Sequence, residues 1–176
     1  STQGYSSAAS DVYKRQVNVS RAVLPSMRRQ HRGHIVNISS VAAVAHIPFQ
    51  AFYSASKAAV SSYSCALDNE VSPYGVRVTV VELGDIHTGF TQARQKTALG
   101  DDEYGGRISR SVSQMEKDEL NGMSPEVIGT YIARIAQKKN CAPICVAGVK
   151  YKILRLLCKI LPCTLRGKIV GSIYAK

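Results

Sequence analysis

Two β-branched runs on either side of a long helical segment constrain this chain more than any other feature. His34-Ile35-Val36-Asn37-Ile38-Ser39-Ser40 and Val76-Arg77-Val78-Thr79-Val80-Val81-Glu82 are mostly apolar and do not alternate. Continuous runs suit strands covered on both faces, as in parallel sheets, whereas a strand with one wet face alternates. The stretch between them, roughly 49–72, follows a loop containing Pro48 and is closed by Pro73-Tyr74-Gly75, which predicts one helix. Strand, helix, strand with short connections is a βαβ unit, so the strands are expected to be parallel and joined right-handedly.

Elements on either side extend this α/β pattern. Residues 19–30 place apolar side chains at Val19, Ala22, Val23 and Met27, with Leu24 widening the stripe, which is helical spacing that must accommodate Pro25. From Gly89 to Met123 the pattern loosens, and a mobile flap with short helices is expected. Ser124-Pro125-Glu126 predicts a helix start, with Ser124 as N-cap and Pro125 in the first turn, running to about Lys139. Residues 142–149 read as a last, edge strand. At 176 residues and 45% hydrophobic content the chain is long enough for one cored domain, and its composition argues against wholesale disorder.

Chemistry enters with Tyr53-Ser54-Ala55-Ser56-Lys57 and with Ser40, thirteen residues before Tyr53 at the end of the first run. Residues four apart share a helix face, so Tyr53 and Lys57 point to the same side. A free phenol titrates near pH 10, and a neighbouring ammonium favours the phenolate. Lys57 is therefore expected to bring Tyr53 nearer the range where it exchanges a proton with an alcohol or carbonyl oxygen. A hydroxyl at the carboxyl end of a buried strand, such as Ser40, can orient the same oxygen, because parallel sheets bind ligands at that edge. Tyr-x3-Lys alone is a weak signal that occurs on many helix surfaces; the strand-borne Ser40 makes the chance reading much weaker.

Asn37-Ile38-Ser39-Ser40, Tyr53-Ser54-Ala55-Ser56-Lys57, Gly75-Val76-Arg77-Val78 and Glu82-Leu83-Gly84-Asp85-Ile86-His87-Thr88 together resemble the short-chain dehydrogenase/reductase family, over nearly everything from Val17 on. The resemblance implies a Rossmann-like doubly wound parallel sheet and hydride transfer between NAD or NADP and a small-molecule alcohol or carbonyl. It also implies a homo-oligomer. By resemblance Tyr53 is the general acid/base, Ser40 positions the substrate oxygen, and Lys57 lowers the Tyr pKa. Tyr53, Lys57, Ile86 and Thr88 would hold the nicotinamide end of the cofactor. No metal is implied.

Departures from the family pattern are equally informative. No Gly-x3-Gly-x-Gly or Asn-Asn-Ala-Gly occurs, nor the residue that would choose NAD or NADP, and Leu83 stands where the family usually has Pro. The expectation is thus a partial Rossmann-like sheet lacking its N-terminal strands, with one unpaired edge. Residues 1–16 read as a non-native or disordered leader, because Asp11-Val12-Tyr13-Lys14-Arg15-Gln16 resembles a transposon end used in preparing sequencing libraries. The family's helix-borne catalytic Asn would fall inside that leader, and Asn18 comes too late to take its role. The domain reading is 1–16 leader, 17–148 oxidoreductase portion, and 149–176 a basic amphipathic helical tail.

Charge is concentrated in that last part. Net charge is +11, and from Val127 to Lys176 there are ten Lys or Arg and no Asp or Glu. Lys152, Arg155 and Lys159 oppose Ile153, Leu156, Leu157 and Ile160, a pattern that fits a basic helix pair in peripheral contact with an anionic membrane. Packing against its own domain or a second subunit is the bland alternative. Nucleic acid is disfavoured because no stacking aromatics accompany the charge. Five Cys without zinc-like spacing read as reduced thiols in a cytoplasmic protein. His46 and His87 read as surface loop residues rather than catalysts. Two functions stay open: an oxidoreductase whose 176-residue form is inactive, or a non-catalytic piece acting in membrane-surface or subunit association.

Overall fold

The computed structural model describes residues 2–89 and 100–175, with the side chains of its first helix described from Ser10. In order, the elements are α1 (Thr2–Arg29), β1 (Gly33–Ser40), the short α2 (Ala42–Ala45), α3 (Ala51–Val71), a 3₁₀ turn at Ser72–Tyr74 and β2 (Val76–Leu83). Then come α4 (Arg107–Leu120), α5 (Pro125–Gln137), β3 (Ile144–Val146), α6 (Val149–Ile160) and α7 (Cys163–Tyr174). The three strands form one parallel sheet in the order β1-β2-β3, with Gly33 opposite Val76 and Ser40 opposite Leu83. The parallel β1–α3–β2 unit is the one that the two apolar runs predict, and the α/β, Rossmann-like sheet is the one that the resemblance implies.

Central β2 explains the absence of alternation. Val76, Val78, Val80 and Val81 are wholly buried because both sheet faces are covered. On one face Ile35, Val76 and Val78 pack with Leu67 and Val71 of α3 and with Val23, Leu24 and Met27 of α1. On the other, Val81 and Leu83 pack with Ile128 and Ile135 of α5. Asp68 of α3 fastens the unit. Its carboxylate accepts Arg77 Nε at 3.0 Å and Arg77 Nη2 at 3.2 Å, and the Val78 amide at 2.8 Å. Gly75 turns the chain into β2 with φ of 70°, and a Cβ there would strike the His31 carbonyl.

Several boundaries differ from expectation. α1 is continuous from Thr2 through Pro25, so residues 2–16 are helical. Proline removes one backbone donor, and contacts on either side hold the helix together: before it the Tyr13 ring meets Tyr63 edge-on at 6.4 Å and Gln16 bonds Ile38, and after it Met27 packs with the Ile35, Leu67 and Val76 cluster. The packed stripe runs through Gln16, Ser20, Val23, Leu24 and Met27, while Val19 is exposed. α3 starts at Ala51 rather than Phe49, whose positive φ of 60° cannot continue a helix. Helix α4 is longer than the short helices expected of the flap; its apolar residues are sparse among Ser, Gln and charges. The rest of the flap, 90–99, lies outside the described residues. The Ser124 cap is present, accepting the Val127 amide at 3.4 Å, and β3 spans three residues rather than eight.

Candidate active site

The carboxyl ends of β1 and β2 are locked together by Val41 N–H donating to the Leu83 carbonyl at 2.9 Å. Ser40 closes β1, nearly buried, and its Oγ accepts the Ala42 amide at 3.1 Å. With that lone pair occupied, the Ser40 hydroxyl keeps its proton for a neighbouring oxygen, and it favours the ionised form of the nearby Tyr53 phenol.

Helix α3 brings Tyr53, Lys57 and Ser61 to one face, and small polar residues let that face lie close on β1. Ser61 Oγ donates to Ser39 Oγ at 2.9 Å, Ser39 Oγ donates to the Lys57 carbonyl at 2.8 Å, and Asn37 Nδ2 donates to Ser64 Oγ at 2.9 Å. The structure therefore gathers Ser40, Tyr53 and Lys57 at one sheet edge. Tyr53 remains 40% exposed, open to a partner from solvent.

Electrostatics at the phenol depart from expectation. Lys57 Nζ donates to the Ile38 carbonyl at 3.1 Å and stands 5.8 Å from the Tyr53 ring centroid, and burial lowers its pKa. Tyr53 is pushed above the ordinary phenol value, chiefly by burial. Asp85 and Glu119 push the same way, and the Ser40 hydrogen bond pulls against them. Lys57 is thus committed to a backbone carbonyl in this arrangement and does not depress the phenol.

The same carbonyl shows how the sheet edge is covered. A strand residue's N–H and C=O point to the same side, and β1 pairs with β2 through its other residues. Gln16 reaches from α1 to accept the Ile38 amide at 2.8 Å and donate to the Ile38 carbonyl at 3.3 Å. A side-chain amide stands where a neighbouring strand would supply the same two bonds. Sequence spacing gave no hint of it, because Gln16 sits one turn outside the apolar stripe.

Ile86 and Thr88 lie on the turn after β2. Met123 N–H donates to the Asp85 carbonyl and His87 N–H to the Met123 carbonyl, each at 3.0 Å, and Ile86 pairs with Met123 as a single parallel bridge. Thr88 follows, half-buried. Gly84 lies flush against the Tyr151 ring, so a Cβ there has no room. His87 is exposed on this turn; His46 is exposed at the end of α2, its pKa lowered by burial and by Arg166.

Sequence reasoning missed the inner face of α6. Tyr151 bonds Asp85 twice, and burial raises the Asp85 pKa while the Tyr151 hydrogen bond opposes that. Arg155 Nε pairs at 2.5 Å with Glu82, whose side chain is 1% exposed. Helix α6, which composition sets apart as the start of a tail, is fastened to the site through Tyr151 and Arg155. The available signal was helical phase: Tyr151, Leu154 and Cys158 fall opposite the apolar stripe.

Side chains that would face a nicotinamide by resemblance (Tyr53, Lys57, Ile86 and Thr88) thus stand at the carboxyl ends of parallel strands, and their donor set fits that end of a dinucleotide. For the pyrophosphate, the described residues supply no Gly-rich turn leading into a helix.

Comparison with known proteins agrees with this geometry. The family model for short chain dehydrogenase matches residues 13–99. The 3-ketodihydrosphingosine reductase of Bacteroides thetaiotaomicron is 46% identical over 126 residues, 70% of this chain and 47% of that protein. Dehydrogenase/reductase SDR family member 7B of Xenopus laevis is 35% identical over 133 residues, 76% of this chain and 38% of that protein. A short chain dehydrogenase from Burkholderia cenocepacia, solved in complex with NADP, superposes with a TM-score of 0.68 at 18% identity, covering 98% of this chain and 62% of that one. The chain spans about half the length or less of these curated relatives. With the strand-borne Ser40, the Tyr53–Lys57 helix face and the parallel sheet, these matches place the chain in the short-chain dehydrogenase/reductase family.

Proposed function

We propose that residues 17–148 are the substrate-side portion of an NAD(P)-dependent oxidoreductase that interconverts a ketone and a secondary alcohol. The convergence of Ser40 and Tyr53 at the carboxyl edge of the sheet carries this reading. A nicotinamide cofactor, when bound, supplies or accepts the hydride. Tyr53 Oη gives its proton to the carbonyl oxygen in reduction and takes one from the alcohol in oxidation. Ser40 Oγ, with its acceptor side occupied by the Ala42 amide, donates to the same oxygen and fixes it beside the phenol. Lys57 supplies positive charge below the phenol and would hold the cofactor ribose once its ammonium leaves the Ile38 carbonyl. Ile86 and Thr88 would contact the carboxamide.

An apolar ketone is the favoured substrate class. The Bacteroides relative is named for reducing a 3-keto compound. The outward aliphatic face of residues 149–160 supports the same choice. We further propose that the protein is cytoplasmic and touches a lipid surface through residues 149–176, and that the complete enzyme is a homo-oligomer.

The 176-residue chain alone is proposed to be inactive, because its sequence carries no Gly-rich dinucleotide turn. The test expresses the protein from the uninterrupted gene and measures ketone reduction with NADH and NADPH. Turnover that falls by about 10²–10⁴-fold in Tyr53→Phe supports the reading. Absence of dinucleotide binding by that longer protein ends it, as does a Tyr53→Phe variant with full activity.

A further inference from the structure

Helix α6 has two apolar faces. Tyr151 and Cys158 are buried against the domain, with Leu154 beside them. On the opposite side Val149, Ile153, Leu156, Leu157 and Ile160 form a continuous stripe, each between 47% and 72% exposed. At 100° per residue these five fall within about a third of the helix circumference. Lys150 flanks the stripe on one side, and Lys152 and Lys159 on the other. Next to the second flank, Lys152, Lys159, Leu156 and Tyr131 line an open groove of about 550 Å³ between α6 and α5, floored by β3.

We infer that this face of α6 docks in the plane of an anionic lipid surface, its aliphatic stripe in the acyl boundary and lipid phosphates against Lys152 and Lys159. The inference rests on the lipid-contact reading above and adds the face, its orientation and the headgroup site.

Three observations favour a lipid surface over other occupants. The chain has no Asp or Glu between Val127 and Lys176, so the whole region is complementary to negative charge. The stripe holds only aliphatic side chains, whereas protein interfaces concentrate their energy in aromatic and Arg anchors seated in pockets. Pairing the stripe with a second copy brings two sets of flanking lysines together, which like-charge repulsion opposes. Lysines beside a shallow apolar ridge can instead snorkel to phosphates. A helix of 12 residues rises about 18 Å, too short to cross a bilayer, so it lies along the surface. Its inner face reaches the candidate active site through Tyr151, so docking would set that site beside the acyl region.

The test uses the full chain with vesicles of phosphatidylcholine alone and of phosphatidylcholine mixed with phosphatidylglycerol. The chain contains no Trp, so Leu156→Trp reports insertion without background. Sedimentation with the anionic vesicles only, weakened by salt, and a blue-shifted, membrane-quenched Trp are expected. Lys152→Gln and Lys159→Gln should each lower the partition coefficient roughly fivefold. Ile153→Ser with Leu156→Ser should lower it more than tenfold, with unchanged circular dichroism. Binding that these variants leave intact overturns the assigned face while sparing the broader lipid-contact reading. No sedimentation at low salt overturns both. A concentration-dependent dimer abolished by Ile153→Ser and Leu156→Ser assigns the stripe to a second copy and overturns the inference. None of these outcomes bears on whether the complete enzyme reduces ketones.

Discussion

Tyr151 Oη donates to Asp85 Oδ2 at 2.8 Å and accepts the Asp85 backbone N–H at 3.0 Å. One phenol from α6 therefore holds both the side chain and the main chain of the turn that carries Ile86 and Thr88. Gly84 permits the ring to lie flat against that turn. Removing the hydroxyl in Tyr151→Phe leaves a half-buried amide and carboxylate without it. A loss of about 1–3 kcal/mol in urea unfolding is expected. Faster amide exchange at Asp85 than at β2 would show that the loss is local to the turn.

Asp85 itself gives a pH signature. Burial raises its folded pKa above the ordinary carboxylate value, so the folded state binds its proton more tightly than the unfolded chain does. The resulting stability is full below the unfolded pKa and is lost as pH rises through the folded one. Asp85→Asn removes this dependence. The stability of the variant relative to the parent is expected to rise with pH through the acidic range, read from urea midpoints between about pH 3 and 7.

The same carboxylate helps raise the Tyr53 phenol, behind the larger effect of burial. In the complete enzyme, Asp85→Asn should therefore move the alkaline limb of the pH–rate profile to lower pH, because a lost negative neighbour favours the phenolate. Glu119→Gln should shift it in the same direction. A limb that moves upward would show that these carboxylates do not sense the phenol.

The sheet and the Ser40–Tyr53–Lys57 convergence were legible because they rest on local signals: unbroken β-branched runs, a four-residue helical spacing, and a Ser at a strand end. Long-range capture of single groups was not legible. Gln16 bonds Ile38 twenty-two positions away, and Tyr151 bonds Asp85 sixty-six away, and neither pairing leaves a periodicity. The pKa of Tyr53 was misjudged for a related reason. The spacing placed Lys57 on the right face, but which acceptor its flexible stem reaches is decided by the Ile38 carbonyl, which no strand among the described residues pairs at the sheet edge. α4 escaped because a helix that buries only Ser111 and Met115 has little apolar pattern to show.

Gln16 offers a direct check on the edge. Gln16→Ala frees the Ile38 amide and one of the bonds to its carbonyl, and about 1–2 kcal/mol of stability should go with them. Gln16→Glu keeps the acceptor for the amide but sets a carboxylate against the carbonyl, so it should recover only part. Hydrogen exchange at Ile38 should accelerate in both variants, and a protected Ile38 amide in Gln16→Ala would show that another group covers the edge.

Asp68 holds α3, β2 and the approach to β3 together through Arg77 and the Val78 amide. With Asp68 buried, Asp68→Ala leaves the guanidinium and a strand amide without their partner. A loss of about 3 kcal/mol is expected, measured by urea or thermal unfolding. Asp68→Asn keeps one acceptor for the Val78 amide and should lose less.

Glu82 and Arg155 make the strongest case for α6 being part of the domain. The carboxylate lies on the central strand β2, and besides Arg155 it accepts Ser61 Oγ at 3.4 Å. Arg155→Ala removes the guanidinium and strands a charge that water cannot reach, which should cost about 3–5 kcal/mol. Replacing both, Glu82→Gln with Arg155→Ala, removes the charge as well and should be distinctly more stable than Arg155→Ala alone. The double-mutant cycle thus gives a large favourable coupling if the two groups form one buried pair. Additive losses would mean that Glu82 is solvated in solution and that α6 is held by its apolar contacts instead.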